Sequence, residues 1–92
     1  MNNHIPTLNP AIIARQMGNE IVLLEPASGR CYGMNAVGLS FWQAVDGTKS
    51  LADIIALLAD EYDVALAELT SDITALISSL AAQDLITLRE PA

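Results

Sequence analysis

The hydrophobic positions of this chain change their period once, near residue 35. Before that point, apolar residues come in short runs separated by turn chemistry. Ala11-Ile12-Ile13-Ala14-Arg15-Gln16-Met17 is followed by Gly18-Asn19, a pair that supplies the positive φ angles of a tight hairpin turn. Glu20-Ile21-Val22-Leu23-Leu24-Glu25 is a β-branched and leucine run suited to a central strand. Pro26-Ala27-Ser28-Gly29 is a turn by composition, because Pro sets φ and Gly is free to turn left-handed. Arg30-Cys31-Tyr32-Gly33-Met34 completes a third short strand. The pattern predicts an antiparallel meander in the order one-two-three.

After Asn35 the apolar period becomes about 3.6. Asn35 is placed to cap a first helix over 36–45, with Val37, Leu39, Phe41, Trp42 and Val45 as its apolar positions. Asp46-Gly47 ends it. Ser50 and Asp53 form a capping-box-like pair at the start of a second helix, whose Leu51, Ile54, Ile55, Leu58 and Tyr62 follow the i, i+3, i+4 rule. Asp63-Val64 breaks the pattern. A third helix over 65–83 carries Leu66, Leu69, Ile73, Leu76, Ile77 and Leu80 on one stripe. A short apolar piece, Leu85-Ile86-Thr87-Leu88, closes the chain before Glu90-Pro91-Ala92. The reading is α+β, element order βββααα, one layer of sheet against one of helices, since neither layer buries its apolar side alone. Residues 1–92 form one domain, with 1–9 and 90–92 expected as tails.

Composition narrows the function. At 92 residues there is room for a single core, and 52% hydrophobic against 16% charged residues supports one. Eleven acidic and four basic side chains leave a formal charge of −7. That balance disfavours nucleic acid or an anionic membrane as partner, because both require a basic patch. Mean hydropathy is +0.39, yet even the charge-free stretch 31–45 is interrupted by Gly, Asn, Ser and Gln. No run reaches the roughly 18 apolar residues of a membrane span, and residues 1–6 show no basic and apolar signal pattern. The expectation is a cytoplasmic protein.

Residues able to do chemistry are few. Cys31 is the one cysteine and His4 the one histidine, so neither a disulfide nor a His/Cys zinc cluster is expected. Cys31 has Arg30 beside it but no general base, and reads as a half-buried strand cysteine acting as a small hydrophobe. Asp60, Glu61 and Asp63 cluster at the end of the second helix without the glycine and terminal Glu of a calcium loop, and read as a solvated corner. Gly29 and Gly33 have no Lys or Ser/Thr at phosphate-loop spacing. Neither an enzyme nor a cofactor is expected.

The third strand is different. In a meander the first and third strands are edges, and edges are usually blunted by Lys, Pro or inward charge. The first strand has Pro10 before it and Arg15 within it, whereas 30–34 contains neither Pro nor Lys. Such an edge invites an extended peptide to add as a further strand, unless the C-terminal segment or a second copy covers it.

These residues also carry a family likeness. The stretch Val22-Leu23-Leu24-Glu25-Pro26-Ala27-Ser28-Gly29-Arg30-Cys31-Tyr32-Gly33-Met34-Asn35 resembles the strand pair of PqqD-like proteins. Ala36-Val37-Gly38, Phe41-Trp42 and Asp46-Gly47 resemble the helix after it, and Ser50-Leu51-Ala52-Asp53-Ile54 the start of the next. Leu58 to Val64, Asp72-Ile73, Leu76, Leu80 and Asp84-Leu85-Ile86 continue the likeness, which spans residues 12–88. The family is the RiPP recognition element, a winged-helix-like domain that binds the leader of a ribosomally made precursor peptide. The segment 29–42 is similar to the stand-alone B1 proteins of lasso peptide biosynthesis, which partner a leader peptidase and a macrolactam-forming cyclase. PqqD itself serves a radical SAM enzyme. Gly33 departs from the larger or polar residue common at its position. The resemblance implies a leader strand along Arg30, Cys31, Tyr32, Gly33 and Met34, lying in a groove beside Leu69, Asp72, Ile73 and Leu76 of the third helix.

A winged-helix topology also suits a DNA reader, which would carry Arg or Lys on its recognition helix. Residues 50–82 contain no basic residue and six acidic ones, Asp53, Asp60, Glu61, Asp63, Glu68 and Asp72. Phosphate repulsion decides against DNA.

Overall fold

The protein is described here by a computed structural model covering residues 3–90. The elements run β1 (Ile5–Leu8), β2 (Ile13–Met17), β3 (Glu20–Glu25), β4 (Arg30–Met34), α1 (Ala36–Ala44), α2 (Leu51–Tyr62), α3 (Leu66–Ala82) and β5 (Ile86–Arg89). The class is α+β, with three helices and a three-stranded antiparallel sheet in the order β2-β3-β4. Gly18 and Gly29, at φ 64° and 75°, make the two hairpin turns. The register sets Leu23 against Tyr32 and Ala14, and Val22 against Gly33 and Arg15. Because side chains alternate, Ile21, Leu23, Tyr32 and Met34 share one face, toward the helices, and Val22, Leu24, Cys31 and Gly33 share the other.

The inner face is where the core begins. Ile21, Leu23 and Met34 are buried with Leu39, Phe41 and Trp42 of α1, Leu51, Ile54, Ile55 and Leu58 of α2, and Leu69, Ile73, Ile77 and Leu80 of α3. Asn35 caps α1 through Oδ1, which accepts from the Gly38 N–H at 3.1 Å, and Ser50 caps α2 by accepting from the Asp53 N–H at 3.2 Å. Asp63, in the left-handed conformation, ends α2. The Tyr62 hydroxyl ties α2 to α1 by donating to the Ala36 carbonyl at 3.0 Å.

Two corrections concern the ends. The order βββααα omits two strands: β1 and β5 pair antiparallel as a second sheet, Ile5 opposite Arg89 and Leu8 opposite Ile86. The expected tail 1–9 therefore contributes structure from Ile5 onward, while residues 1, 2, 91 and 92 lie outside the described part. Asn9 secures the junction: its N–H donates to the Leu85 carbonyl at 3.1 Å and its Nδ2 to the Asp84 carbonyl at 2.8 Å. A third correction is Leu66. It lies on the predicted apolar stripe of α3 yet is 57% exposed, whereas Leu69, three residues on, is the first residue of the stripe to be buried. No described helix is long and apolar enough to cross a membrane.

Candidate functional site

Among the described residues, β4 is held on one side only. Its neighbour in the sheet is β3, and the C-terminal strand that could have covered its other edge pairs with β1 instead. In an antiparallel ladder, successive residues direct their N–H and C=O groups alternately to one neighbour and the other. Either Cys31 and Gly33 or Arg30, Tyr32 and Met34 thus present backbone groups outward.

Two cavities place α3 along this edge, one where β4 meets the residues just beyond α3 and one between the start of α1 and the middle of α3. At the hairpin end a cavity of about 360 Å³ is lined by Arg30, Cys31 and Tyr32, by Glu25 and Ser28, and by Gln83, Asp84 and Leu85 just beyond α3. At the other end a cavity of about 220 Å³ lies between Asn35, Val37 and Gly38 and the α3 residues Asp72, Ile73 and Leu76. The predicted site residues therefore divide. Arg30, Cys31 and Tyr32 reach one cavity, and Asp72, Ile73 and Leu76 the other. Met34 and Leu69 are core residues that line neither. Gly33 lies on the outer face of β4, pointing away from the gap.

Two groups were missed by sequence reasoning. Gln83, Asp84 and Leu85 reach the hairpin end because Asp84, at φ 59°, turns the chain back after α3. Val37 and Gly38 line the other end because α1 starts directly below β4. Gly38 had a readable signal, a glycine inside a helical pattern. A Cβ built there would stand 2.5 Å from the Met34 Cβ, so only glycine lets α1 pack this closely on β4.

Charge near the groove is mixed. Glu25 accepts from the Ser28 hydroxyl, from the Ser28 N–H at 2.8 Å and from the Ala27 N–H at 3.2 Å. Those bonds, the Ser28 hydroxyl foremost, and the Arg30 charge hold its carboxyl below the usual 4.5. The carboxylate is thereby committed to bracing the hairpin. Cys31 corrects its expected half-burial: it is exposed, on the outer face of the sheet. There Ile13, Arg15, Met17, Val22, Leu24 and Cys31 line a shallow cavity of about 420 Å³, with Ile13 52% and Met17 62% exposed. Among the described residues no three His, Cys, Asp or Glu side chains come together as metal ligands would.

An open strand edge beside a helix, with a cavity at each end, is the geometry of a domain that takes up an extended chain. The comparison of sequences gives that class a family. The family model for coenzyme PQQ synthesis protein D (PqqD) matches residues 20–86, and the chain belongs to the PqqD family. Two solved structures share its fold. One is TbiB1 in complex with the TbiA(beta) leader peptide, 26% identical, with a TM-score of 0.78 over 94% of this chain and 98% of that one. The other is a lasso peptide synthetase B1 complexed with the leader peptide, 29% identical, with a TM-score of 0.77 over 89% of this chain and 96% of that one. No curated protein matches the sequence.

Proposed function

We propose that this chain is a non-catalytic recognition element that binds the leader of a ribosomally made precursor peptide and delivers it to the modifying enzymes of lasso peptide biosynthesis. The observation that carries the reading is the unpartnered edge of β4 beside α3, in a chain whose structural relatives were both solved with leader peptides. The leader adds as a strand to Arg30–Met34. Its backbone hydrogen bonds are independent of sequence, each worth roughly 0.5–1.5 kcal/mol net. Selectivity comes from alternate leader side chains that enter the two cavities, meeting Arg30 and Tyr32 at one end and Asp72 and Leu76 at the other.

The enzymes served are a leader peptidase and a cyclase, acting in the cytoplasm. A second reading, service to a radical SAM enzyme, draws on the PqqD match itself, but the likeness to a lasso peptide synthetase B1 favours the lasso branch. The test is a pair of proline substitutions, Cys31→Pro and Tyr32→Pro, with calorimetry against leader peptides encoded beside this gene. Proline is tolerated only where the lost N–H faces outward. One variant keeps its fold and loses the leader; the other is destabilised through its bond to β3. Undiminished leader binding by both variants would rule out strand addition at β4.

A further inference from the structure

The outward face of α2 carries a side chain that the fold does not use. The buried stripe of this helix, Leu51, Ile54, Ile55 and Leu58, already faces the core, yet Leu57 is 51% exposed. Leu57 stands as a ridge between two shallow recesses. One, of about 480 Å³, is bordered by Asp53 and Asp60, and the other, of about 410 Å³, by Gln43 and Glu61. Asp53, Leu57, Asp60 and Glu61 fall at helical spacing and share one exposed face. Asp60 and Glu61 also occupy the last turn of α2, where the carbonyl end of a helix favours bases, and no base is present there. Neither forms an ion pair among the described residues, and the base beside the ridge, Lys49, is already bound to Asp46 at 2.6 Å. The acids stand where they weaken the helix, and their charge is uncompensated within the chain.

We propose that this face of α2 is a docking surface for a modifying enzyme, which meets it with a basic surface that sets an apolar side chain on either side of Leu57. The inference rests on the reading of the chain as a leader-binding partner of enzymes. Charge complementarity selects the occupant. A second copy would set Asp53, Asp60 and Glu61 against their own like, whereas Lys and Arg on an enzyme neutralise them. The leader is not a competitor, because none of the residues bordering the two recesses lines the cavities beside β4. An enzyme held on α2 therefore leaves the leader in place. The two parts of the surface have separate jobs: the acids speed the encounter and respond to salt, and burial of Leu57 slows departure.

The experiment measures association and dissociation of the purified peptidase and cyclase encoded beside this gene, at low and high salt, on the parent and three variants. Leu57→Ala and Asp60→Lys alter the face, and Glu20→Lys makes the same change of net charge on the sheet. All three positions are exposed, so the variants fold, and a thermal melt verifies it. For one of the enzymes, Leu57→Ala weakens binding about tenfold, mainly through faster dissociation, and Asp60→Lys slows association and flattens the salt dependence. Glu20→Lys does neither. Equal binding by the parent, Leu57→Ala and Asp60→Lys overturns the proposal, as does a parent that holds neither enzyme. A loss on Glu20→Lys as large as that on Asp60→Lys overturns it too, since the general field of the protein would then be responsible. Sedimentation that shows a dimer broken by Leu57→Ala would give the face to a second copy. Leader calorimetry on the same proteins reports separately on the underlying reading: the variants bind leader as the parent does, and a parent that binds no leader refutes that reading.

Discussion

Gly38→Ala tests whether the close approach of α1 to β4 is real. Two opposing effects act on it. Alanine is the better helix former by about 0.8–1.0 kcal/mol, so an unobstructed site would gain stability. The new methyl, however, would lie 2.5 Å from the Met34 Cβ and 3.1 Å from both its Cγ and its Sδ. The Cγ and Sδ can swing aside by a rotamer change, but the Cβ is fixed to the strand backbone. Relief therefore requires α1 to move from the sheet, which opens the contacts of buried Leu39, Phe41 and Trp42. Overpacking of this kind costs about 1–3 kcal/mol, and a contact that no rotamer relieves belongs at the upper end. The difference is a net loss of about 2 kcal/mol. With a urea m-value near 1 kcal/mol/M, the smallest expected for small domains, the midpoint falls by up to about 2 M. Urea unfolding followed by the fluorescence of buried Trp42 measures it. Met34→Ala in the same chain removes the Cγ and Sδ but leaves the Cβ, so most of the loss persists in the double variant. A Gly38→Ala protein as stable as the parent, or more so, would refute the packing argument.

Tyr62→Phe deprives the Ala36 carbonyl of its 3.0 Å donor and the Ser40 hydroxyl of its partner, and chemical unfolding is expected to show a loss of about 1 kcal/mol. Cys31→Ala removes an exposed thiol that makes no packing contribution to the core, so calorimetry should find leader affinity within about tenfold of the parent. Complete loss in a folded variant would assign the thiol a role. Acid stability follows from two carboxylates. Asp46 is held well below the usual 3.8, first by the Lys49 ammonium at 2.6 Å and then by the N–H groups of Lys49 and Thr48, and Glu25 is lowered as well. A lowered native value means that the stabilisation is present above the unfolded value and disappears as the pH falls through the native one. Asp46→Asn should therefore be less stable than the parent at neutral pH and converge with it on acidification, as urea midpoints from pH 7 to about pH 2 will show. A gap that widened toward acid would contradict the assigned cause.

Local chemistry was sufficient to determine the middle of this chain. The meander was legible because each strand is joined to the next by a turn with its own residue signature, Gly18-Asn19 and then Pro26 to Gly29. The helices were legible because their caps, Asn35 and Ser50, and their apolar stripes lie within a few residues of each other. The edge character of β4 followed from the same local connections. What sequence could not supply was the fate of that edge. β1 and β5 are four residues each, β1 includes Pro6, and their pairing joins positions some 80 residues apart with no turn between them. Nothing in either segment names its partner, and the two meet because α3 carries the chain back across the core. By taking β5, β1 leaves β4 open. The same long-range packing exposes Leu66 despite its place on the stripe, brings Gln83 to Leu85 up to Arg30, and sets Gly38 against Met34. Period and turn chemistry act over a few residues and fix which elements form; which edge stays free is decided by how distant segments compete to cover it.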